Sequence, residues 1–412
     1  MDVVAEKKKN GRRNYAIVTM AYWADTLADG ATRTLVLFYF SQLGYSALQV
    51  ASLFLFYELF GVITNFCGGW LASRFGLKST LFLGLGTQIL ALAMLALMPQ
   101  SLLTVTYVMV CQALSGIAKD LTKMSSKSAV KLVAGDGEGQ LYRWVAWLTG
   151  SKNALKGVGF FLGSLLLTLM SFPQAVAVLM GIVGVAMVLA AVLMRGDLGK
   201  ANKKAKFSQM LSRDRRINLL SIARFFLFGA RDVWFVVALP VFLSTVLGWK
   251  FWQTGGFMAL WVIGYGAVQA AAPMILKKKH GGNPDGKTAT WLAFGLALIP
   301  LTITVLLVNG VQPTLAVVGG LLVFGAFFAL NSAVHSYLIL AYADHDKVAM
   351  NVGIYYMANA CGRLIGTILS GWLYQIGISS GTTGGLIWCL VASSIFLVAT
   401  GLLSLGLGRE RA

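Results

Sequence analysis

Residues 223–253 read ARFFLFGARDVWFVVALPVFLSTVLGWKFWQ, an apolar stretch that nevertheless carries Arg224, Arg231 and Asp232. A helix of about 20 apolar residues is enough to span roughly 30 Å of hydrocarbon. A charge at the centre of the bilayer costs roughly 2.5–3.5 kcal/mol. These three side chains must therefore face a wet or protein-walled interior. The stretch predicts a bundle of membrane helices with a polar centre.

The composition of the whole chain is that of a membrane protein. Of the 412 residues, 57% are hydrophobic and only 12% are charged, whereas soluble domains carry about 25% charged residues. Hydropathy predicts an all-α integral membrane protein with twelve transmembrane helices. We place them near residues 14–42, 47–72, 79–98, 102–122, 142–170, 174–194, 217–246, 253–276, 288–308, 314–342, 349–375 and 385–406.

The chain repeats weakly at about half its length. Three features of the first half recur in the second. They are a turn motif after the first span, an acid within that span, and a basic residue of the fifth span that precedes a glycine by three positions. The pairs are Leu43-Gly44-Tyr45 with Leu48-Gln49 against Leu247-Gly248-Trp249 with Trp252-Gln253 (offset 204), Asp29 against Asp232 (203), and Lys156-x-x-Gly159 against Arg363-x-x-Gly366 (207). This agreement predicts two pseudo-symmetric six-helix bundles with a site between them, which is the architecture of major facilitator transporters.

The basic residues between the spans are concentrated on one side of the membrane. Apart from Lys250, they fall in loops on the side of the first residue. This bias marks the cytoplasmic side, so the net charge of +19 reflects topology and not a nucleic-acid partner. We predict a multi-pass protein of a bacterial inner membrane with both termini in the cytoplasm. Its parts are a cytoplasmic segment (1–13), a first bundle (14–194), a linker (195–216), a second bundle (217–406) and a tail (407–412).

Six basic side chains lie deep within the predicted spans, and four acidic ones share that depth. Facing lipid, these charges would cost more than the margin of about 5–15 kcal/mol that stabilises a fold. They are either salt-bridge scaffolding or the lining of an anion path, and the positive surplus favours the anion path. The basic residues are Arg33, Lys152, Lys156, Arg224, Arg231 and Arg363, and the acids are Asp25, Asp29, Glu58 and Asp232.

The buried acids have two interpretations. Asp25, Asp29 and Arg33 are spaced four residues apart and therefore share one helix face. Asp29 and Arg33 could form a local pair, or the acids could form a protonation site beside a cation. Glu58 and Asp232 are likewise either proton carriers or members of ion pairs between the two bundles.

The cations of the fifth, seventh and eleventh spans form the predicted substrate site. Lys152 and Lys156 lie one turn apart without an acid nearby on their helix, so they require an acid from another helix, partial deprotonation or a bound anion. Arg224 and Arg231 project from one face, and two guanidinium forks suit a tetrahedral or carboxylate oxyanion. The second half adds Asn331, His335, Tyr355, Tyr356, Asn359 and Arg363. A histidine such as His335 is otherwise a satisfied interior residue.

Lysines recur at every fourth residue from the end of the fourth span. If the helix continues, they form a basic ridge that would concentrate anions at a cytoplasmic mouth. The alternative is a further cytoplasmic loop of ordinary positive charge. The four residues of this predicted funnel are Lys119, Lys123, Lys127 and Lys131.

The loop after the second span reads GWLASRFGLK (69–78). It resembles the signature loop of the major facilitator superfamily, which implies a cytoplasmic gate loop built on Gly69, Arg74, Gly76 and Lys78. Ser73 stands where the family has an aspartate. The resemblance therefore does not extend to the charge contact that this aspartate makes when the cytoplasmic gate is shut.

Five segments are also similar to the organoarsenical efflux transporters called ArsJ. They are YELFGVITNFCGGWLASRFG (57–76), GIAKDLTKMSSKSAVK (116–131), LTGSKNALKGVGFFLG (148–163), ARFFLFGARDVWFVV (223–237) and NVGIYYMANACGRLIGT (351–367). This resemblance implies export of 1-arseno-3-phosphoglycerate and arsenate resistance. Glyceraldehyde-3-phosphate dehydrogenase would be the producer of that compound, when it accepts arsenate in place of phosphate. The resemblance supplies no site residues.

The cysteines agree with a pentavalent arsenic compound rather than a trivalent one. All four lie in separate spans, so neither a disulfide framework nor a thiolate metal site is predicted. Trivalent arsenic prefers clustered thiolates, whereas the oxygens of an arsenate ester suit Arg and Lys. The sequence contains no catalytic motif that we recognise, so we predict no enzyme and no cofactor.

We therefore predict a secondary active transporter that works by alternating access, with proton exchange as a hypothesis based on the buried acids. The alternative substrate is another organic phosphate or carboxylate. The alternative class is a non-transporting membrane receptor or enzyme, and the half-repeat argues against it. We also expect Arg231→Ala to abolish export without preventing membrane insertion, provided that Arg231 is an unpaired charge.

Overall fold

Twelve helical crossings organise the computed structural model, which describes residues 2–129, 140–195, 214–276, 284–342 and 348–407. Two of the crossings are each broken into two helices. The first half contains α1 (Asp2–Gln42), α2 (Ala47–Leu53) with α3 (Leu55–Phe75), α4 (Leu77–Leu97), α5 (Val105–Ala129), α6 (Gln140–Leu169) and α7 (Phe172–Leu193). The second contains α8 (Arg215–Phe235) with α9 (Ala238–Thr245), α10 (Phe251–Ile275), α11 (Gly286–Val308), α12 (Pro313–Tyr342), α13 (Val348–Gly377) and α14 (Gly384–Leu405).

Eight of these crossings are long and apolar enough to span a membrane, judged on the described residues alone. The other four are α1, α5, α6 and α13, and they supply most of the charges that face the centre of the molecule. The prediction of twelve transmembrane helices is confirmed. The largest differences from the predicted limits are that α1 begins at Asp2 and that α5 continues to Ala129.

The repeated turn motif encodes the same local structure in both halves. Gly44 and Gly248 end the first and seventh crossings with φ of 83° and 68°, a left-handed conformation that glycine adopts without steric cost. The glutamine at the end of each motif then accepts the backbone N–H of the residue that caps the next helix. These bonds measure 2.9 Å at Ser46 and 2.8 Å at Lys250. The motif therefore sets two sharp turns and two helix starts in equivalent places.

The two halves meet at two helix interfaces that the internal repeat relates to each other. In the described part, α2 and α3 pack against α13, and α6 packs against α10. A β-carbon at Gly371 would collide with the side chain of Ala51, and one at Gly255 with the side chain of Ser164. At the offsets found in the sequence, Ala51 corresponds to Gly255 and Ser164 to Gly371. The halves are therefore two pseudo-symmetric bundles, as predicted.

The seventh crossing breaks between α8 and α9 because of Pro240. Proline has no N–H for the carbonyl four residues earlier, and its ring crowds that carbonyl. The N–H groups of Val237 and Ala238 instead donate to the hydroxyl of Ser370 in α13, at 3.3 and 3.0 Å. These two bonds tie the break between α8 and α9 to α13, close to the charged residues of α8 and α13.

The loop that resembles the superfamily signature is a single sharp turn. Gly76 lies alone between α3 and α4 with φ of 83°, which explains why this position holds glycine. Lys78 follows it and is half-buried. Gly69 and Arg74 belong to α3, but their surroundings lie outside the part of the chain that the structure describes.

Candidate substrate site

A cavity of about 230 Å³ lies between the two halves. The first half contributes α1, α3, α5 and α6 to its wall, and the second contributes α8, α10, α12 and α13. Among the described residues, eight basic side chains but only four carboxylates line it. They are Arg33, Lys119, Lys123, Lys152, Lys156, Arg224, Arg231 and Arg363, with Asp29, Glu58, Asp120 and Asp232.

The structure brings most of the predicted site residues into this cavity. The five substrate-site cations all line it, as do Asn359, Arg33, Asp29, Glu58 and Asp232. Asp25, His335 and Tyr355 are buried outside its lining. Asp25 accepts a hydrogen bond from the hydroxyl of Thr122 at 2.6 Å.

Two lysines of the predicted cytoplasmic funnel lie in the cavity itself. Lys119 and Lys123 line it because α5 stays helical through this segment. Lys123 donates to Asp120 at 2.9 Å and to Asn65 at 2.6 Å. The sequence reasoning missed Asp120, although its spacing of three from Lys123 is a signal of an ion pair on a helix. The side chain of Lys127 and the whole of Lys131 fall outside the described residues.

An alternating chain of five charged side chains crosses from one half to the other. Arg33 donates to Glu58 at 3.0 Å, and Arg363 donates to the same oxygen at 2.7 Å. The other side of the Arg363 fork reaches Asp232 at 3.1 Å. Asp232 in turn accepts a hydrogen bond from Nε of Arg231 at 2.6 Å, and Nη2 of Arg231 lies 2.5 Å from the same oxygen. Glu58–Arg363 is therefore an ion pair between the halves.

This chain alters two expectations drawn from the sequence. Arg231 is not an unpaired charge, because its partner is the next residue along the chain. The local Asp29–Arg33 pair does not form either, since Arg33 is held by Glu58. Asp29 instead accepts the hydroxyl of Tyr57, at 2.7 and 2.9 Å to its two oxygens.

Two lysines of the first half, Lys119 and Lys156, have no carboxylate within 4.0 Å among the described residues, and we call them the lysine pair. The ammonium of Lys119 lies 4.0 Å above the ring of Tyr57. That of Lys156 lies 5.5 Å from the centre of the Phe160 ring. Asp29 is a charged neighbour of both lysines at longer range. The lysine pair thus presents positive charge that aromatic faces stabilise only partly.

Arg224 is a cation of the second half that likewise lacks a nearby carboxylate among the described residues, and it is 5% exposed. Its Nε donates to the amide oxygen of Asn359 at 3.0 Å, and its Nη1 donates to the carbonyl and hydroxyl of Ser332 at 3.2 and 3.1 Å. The guanidinium lies 4.0 Å from the ring of Phe228 and 5.0 Å from that of Tyr355. No described carboxylate lies within 4.0 Å of it. Neutral groups therefore fix its position while its charge stays uncompensated.

An aromatic wall faces the cavity from the second half. Trp261 donates its indole N–H to the carbonyl of Leu321 at 2.7 Å and stacks on Tyr265. Phe228 and Phe235 complete the wall. These rings shape the cavity and keep the nearby guanidinium groups in a fixed orientation.

Behind Arg224, two polar side chains of α12 are completely buried. Asn331 and His335 have no hydrogen-bond partner in the part of the chain that the structure describes. The alternative of a satisfied interior histidine therefore finds no protein partner for His335 among the described residues. None of the described residues form a cluster suited to a metal ion, and the four cysteines are unpaired.

Twelve crossings in two pseudo-symmetric halves around a charged cavity define a membrane transporter. The family model described as the Major Facilitator Superfamily matches residues 18–334, and the chain belongs to that superfamily. The sequence is otherwise without a match among curated proteins.

Solved structures with the same fold are themselves transporters. One is a POT family transporter in complex with a thioalcohol-conjugated peptide (TM-score 0.73, 13% identity, 94% of each chain covered). Another is a POT family transporter in complex with 5-aminolevulinic acid (TM-score 0.74, 14% identity, 94% of each chain). A third is the nucleoside transporter NupG (TM-score 0.70, 14% identity, 96% of this chain and 98% of that one). At such identities the likeness shows the fold alone.

Proposed function

We propose that this transporter exports an organoarsenical anion, 1-arseno-3-phosphoglycerate, by alternating access, and thereby confers arsenate resistance. The observation that carries the proposal is the excess of eight cations over four carboxylates in the cavity between the halves. Such an excess is costly at membrane depth unless an anion compensates it. The substrate itself comes from the resemblance to the ArsJ transporters.

The pairing of the cations indicates which of them bind the substrate. Those of the alternating chain already contact carboxylates. The lysine pair and Arg224 do not, so we assign the anion to them. The chain from Arg33 to Arg231 then serves as the contact between the halves. Its Glu58–Arg363 bond would break and reform as the halves move.

The direction of export comes from the resemblance, and the orientation in the membrane is compatible with it. An even number of crossings places both ends of the helical part on one side, and the positive-inside bias makes that side the cytoplasm. A bacterial inner membrane is the corresponding location, with bundles at 14–194 and 217–406 and a cytoplasmic linker at 195–216. The dehydrogenase that makes the ester is cytoplasmic in this scheme, so it would supply the substrate on the same side.

Inside-out vesicles test the proposal directly. Supplied with glyceraldehyde-3-phosphate dehydrogenase, its substrates and arsenate, vesicles that contain this protein should accumulate arsenic. Lys156→Met should reduce the initial rate by about 10- to 100-fold, the value of one charged hydrogen bond. Arg216→Gln is the matched control, because this half-exposed residue of α8 lies outside the cavity. Arsenic uptake that does not depend on the dehydrogenase would contradict the proposal.

The same vesicles separate the alternatives that remain. Plain 3-phosphoglycerate in place of the arsenate ester tests an ordinary organic phosphate as the substrate. Proton coupling is a second question, carried by Asp29, whose hydrogen bonds come from a neutral hydroxyl. If uptake is unchanged when the pH gradient is collapsed, proton exchange is excluded.

A further inference from the structure

We propose that transport, as distinct from binding, requires a ligand with two separated anionic groups, one held by the lysine pair and the other by Arg224. The proposal rests on the proposed function and assigns each anionic group of the substrate to one half of the protein. A ligand with a single anionic group would bind to one half and would not promote the transition between the two states.

The first step is that each half, among its described residues, offers a cationic centre without a carboxylate within 4.0 Å. The lysine pair belongs to α5 and α6 of the first half, and Arg224 belongs to α8 of the second. Both centres line the same cavity. Neutral groups hold both centres in place. The lysines lie against the rings of Tyr57 and Phe160, and Arg224 donates hydrogen bonds to Asn359 and Ser332.

The second step is that the arginines of the alternating chain, which line the same cavity, are already engaged. Arg363 uses its Nε for Asp232 and its Nη2 for Glu58. Arg231 contacts Asp232 through its Nε and its Nη2. A ligand that contacts these arginines must compete with carboxylates for them, whereas the lysine pair and Arg224 lose no ion pair when they bind an anion.

The third step concerns what a ligand can do to a conformational equilibrium. A ligand shifts an equilibrium between two states only by the difference in its affinity for them. In alternating access the two halves move largely as rigid bodies. Contacts confined to one half are therefore equal in both states and shift nothing. Only a ligand held by both halves at once distinguishes the states and promotes the transition.

The class of ligand follows from the two centres and the size of the cavity. Each centre suits an oxyanion, and about 230 Å³ leaves room only for a small molecule between them. The ligand is thus a short-chain compound with an oxyanionic group at each end. Two stable probes differ in this feature alone: 3-phosphoglycerate has a phosphate and a carboxylate, and glycerol 3-phosphate has a neutral hydroxymethyl group in place of the carboxylate.

The test compares binding and exchange of these two probes on the purified protein. Binding is measured in detergent by calorimetry, and exchange is measured in liposomes by counterflow at saturating concentrations. We expect glycerol 3-phosphate to bind about 10- to 100-fold more weakly than 3-phosphoglycerate, as the loss of one charged contact implies. At saturation it should still exchange about ten-fold more slowly or not at all.

Variants of the two centres should make the longer probe behave like the shorter one. With Arg224→Gln or Lys156→Gln, 3-phosphoglycerate should still bind at high concentration, but its saturated exchange should fall to the rate of glycerol 3-phosphate. Arg216→Gln, on the same helix as Arg224, should exchange at the unaltered rate. Thermal unfolding of each variant shows whether it is folded, and the comparison of probes on the unaltered protein needs no variant.

The outcomes separate this proposal from the proposed function. If glycerol 3-phosphate at saturation exchanges as fast as 3-phosphoglycerate, the two-centre proposal is overturned while an anion transporter remains. If neither probe binds but vesicles accumulate arsenic, the two-centre proposal fails and the arsenate ester is recognised by other features. If neither probe binds and no arsenic accumulates, the proposed function fails as well.

Discussion

Equivalent positions in the two halves hold their charges in opposite ways. Asp232 and Arg363 of the second half form an ion pair at 3.1 Å. Their counterparts in the first half are Asp29 and Lys156, which the repeat aligns with them. Asp29 accepts the hydroxyl of Tyr57 instead, and no described carboxylate lies within 4.0 Å of Lys156. The acid and the base thus form an ion pair in the second half, whereas their counterparts Asp29 and Lys156 do not.

The type of basic residue explains this difference. The planar fork of an arginine can serve two carboxylates at once, as Arg363 does with Glu58 and Asp232. The ammonium of a lysine is a compact charge without that geometry. The comparison indicates that the second half uses its basic residue to join the bundles, whereas the first half keeps its lysine available for a ligand.

The largest effect should come from Arg363→Met. Removing this arginine leaves Glu58 and Asp232 each without one charged partner, and breaking a buried pair from one side costs about 3–5 kcal/mol. The measurement is the free energy of unfolding of the protein in detergent micelles. A loss below about 1 kcal/mol would show that the bond between the halves contributes little to stability.

Lys156→Met is the matched control at the equivalent position of the first half. The charged neighbours of Lys156 include the cations Arg363, Arg33 and Lys152 and the acids Asp29 and Glu58. Its removal relieves repulsion and breaks no ion pair, so stability should be unchanged or higher while transport falls. A destabilisation equal to that of Arg363→Met would refute the difference between the halves.

The next effect should separate the two aspartates. Asp232→Asn weakens the hydrogen bonds that this carboxylate accepts from Arg231 and Arg363, and a hydrogen bond to a charged group contributes about 1.5–3 kcal/mol. Asp29→Asn replaces a carboxylate whose hydrogen-bond donor is the neutral hydroxyl of Tyr57. A hydrogen bond of this kind contributes about 0.5–1.5 kcal/mol. Thermal unfolding of both variants under one condition should therefore show the larger decrease for Asp232→Asn. Equal decreases would mean that Asp29 has a stabilising role that its hydrogen bonds do not reveal.

The sequence predicted the fold well because the relevant signals are local or periodic. Hydropathy marks each crossing within a window of about 20 residues. The turn motifs at Gly44 and Gly248 reveal the two halves because each encodes its own turn and helix start. Such features depend on few long-range contacts, so a single chain is sufficient to recognise them.

The pairing of charges was beyond the same reasoning. Glu58 and Arg363 are 305 residues apart, and no spacing along the chain indicates that they meet. The role of Lys123 was obscured by a helix limit, since the predicted span stops at 122 while α5 continues to Ala129. Positions within a helix were thus predictable, whereas partners on other helices required the packed structure.

The smallest effect concerns Tyr57, whose hydroxyl is the neutral partner of Asp29. Tyr57→Phe removes this donor and keeps the ring beneath Lys119, so the cost should be about 0.5–1.5 kcal/mol. Freed from the hydroxyl, the carboxylate of Asp29 can turn toward Lys156 and form the ion pair that its counterpart in the second half already has. A rise in the Kd for 3-phosphoglycerate alongside a small loss of stability would support this competition, because the lysine would then contact a carboxylate of the protein. An unchanged Kd would mean that Asp29 stays in place without the hydroxyl of Tyr57. The packing of α1, more than this hydroxyl, would then keep Asp29 and Lys156 apart.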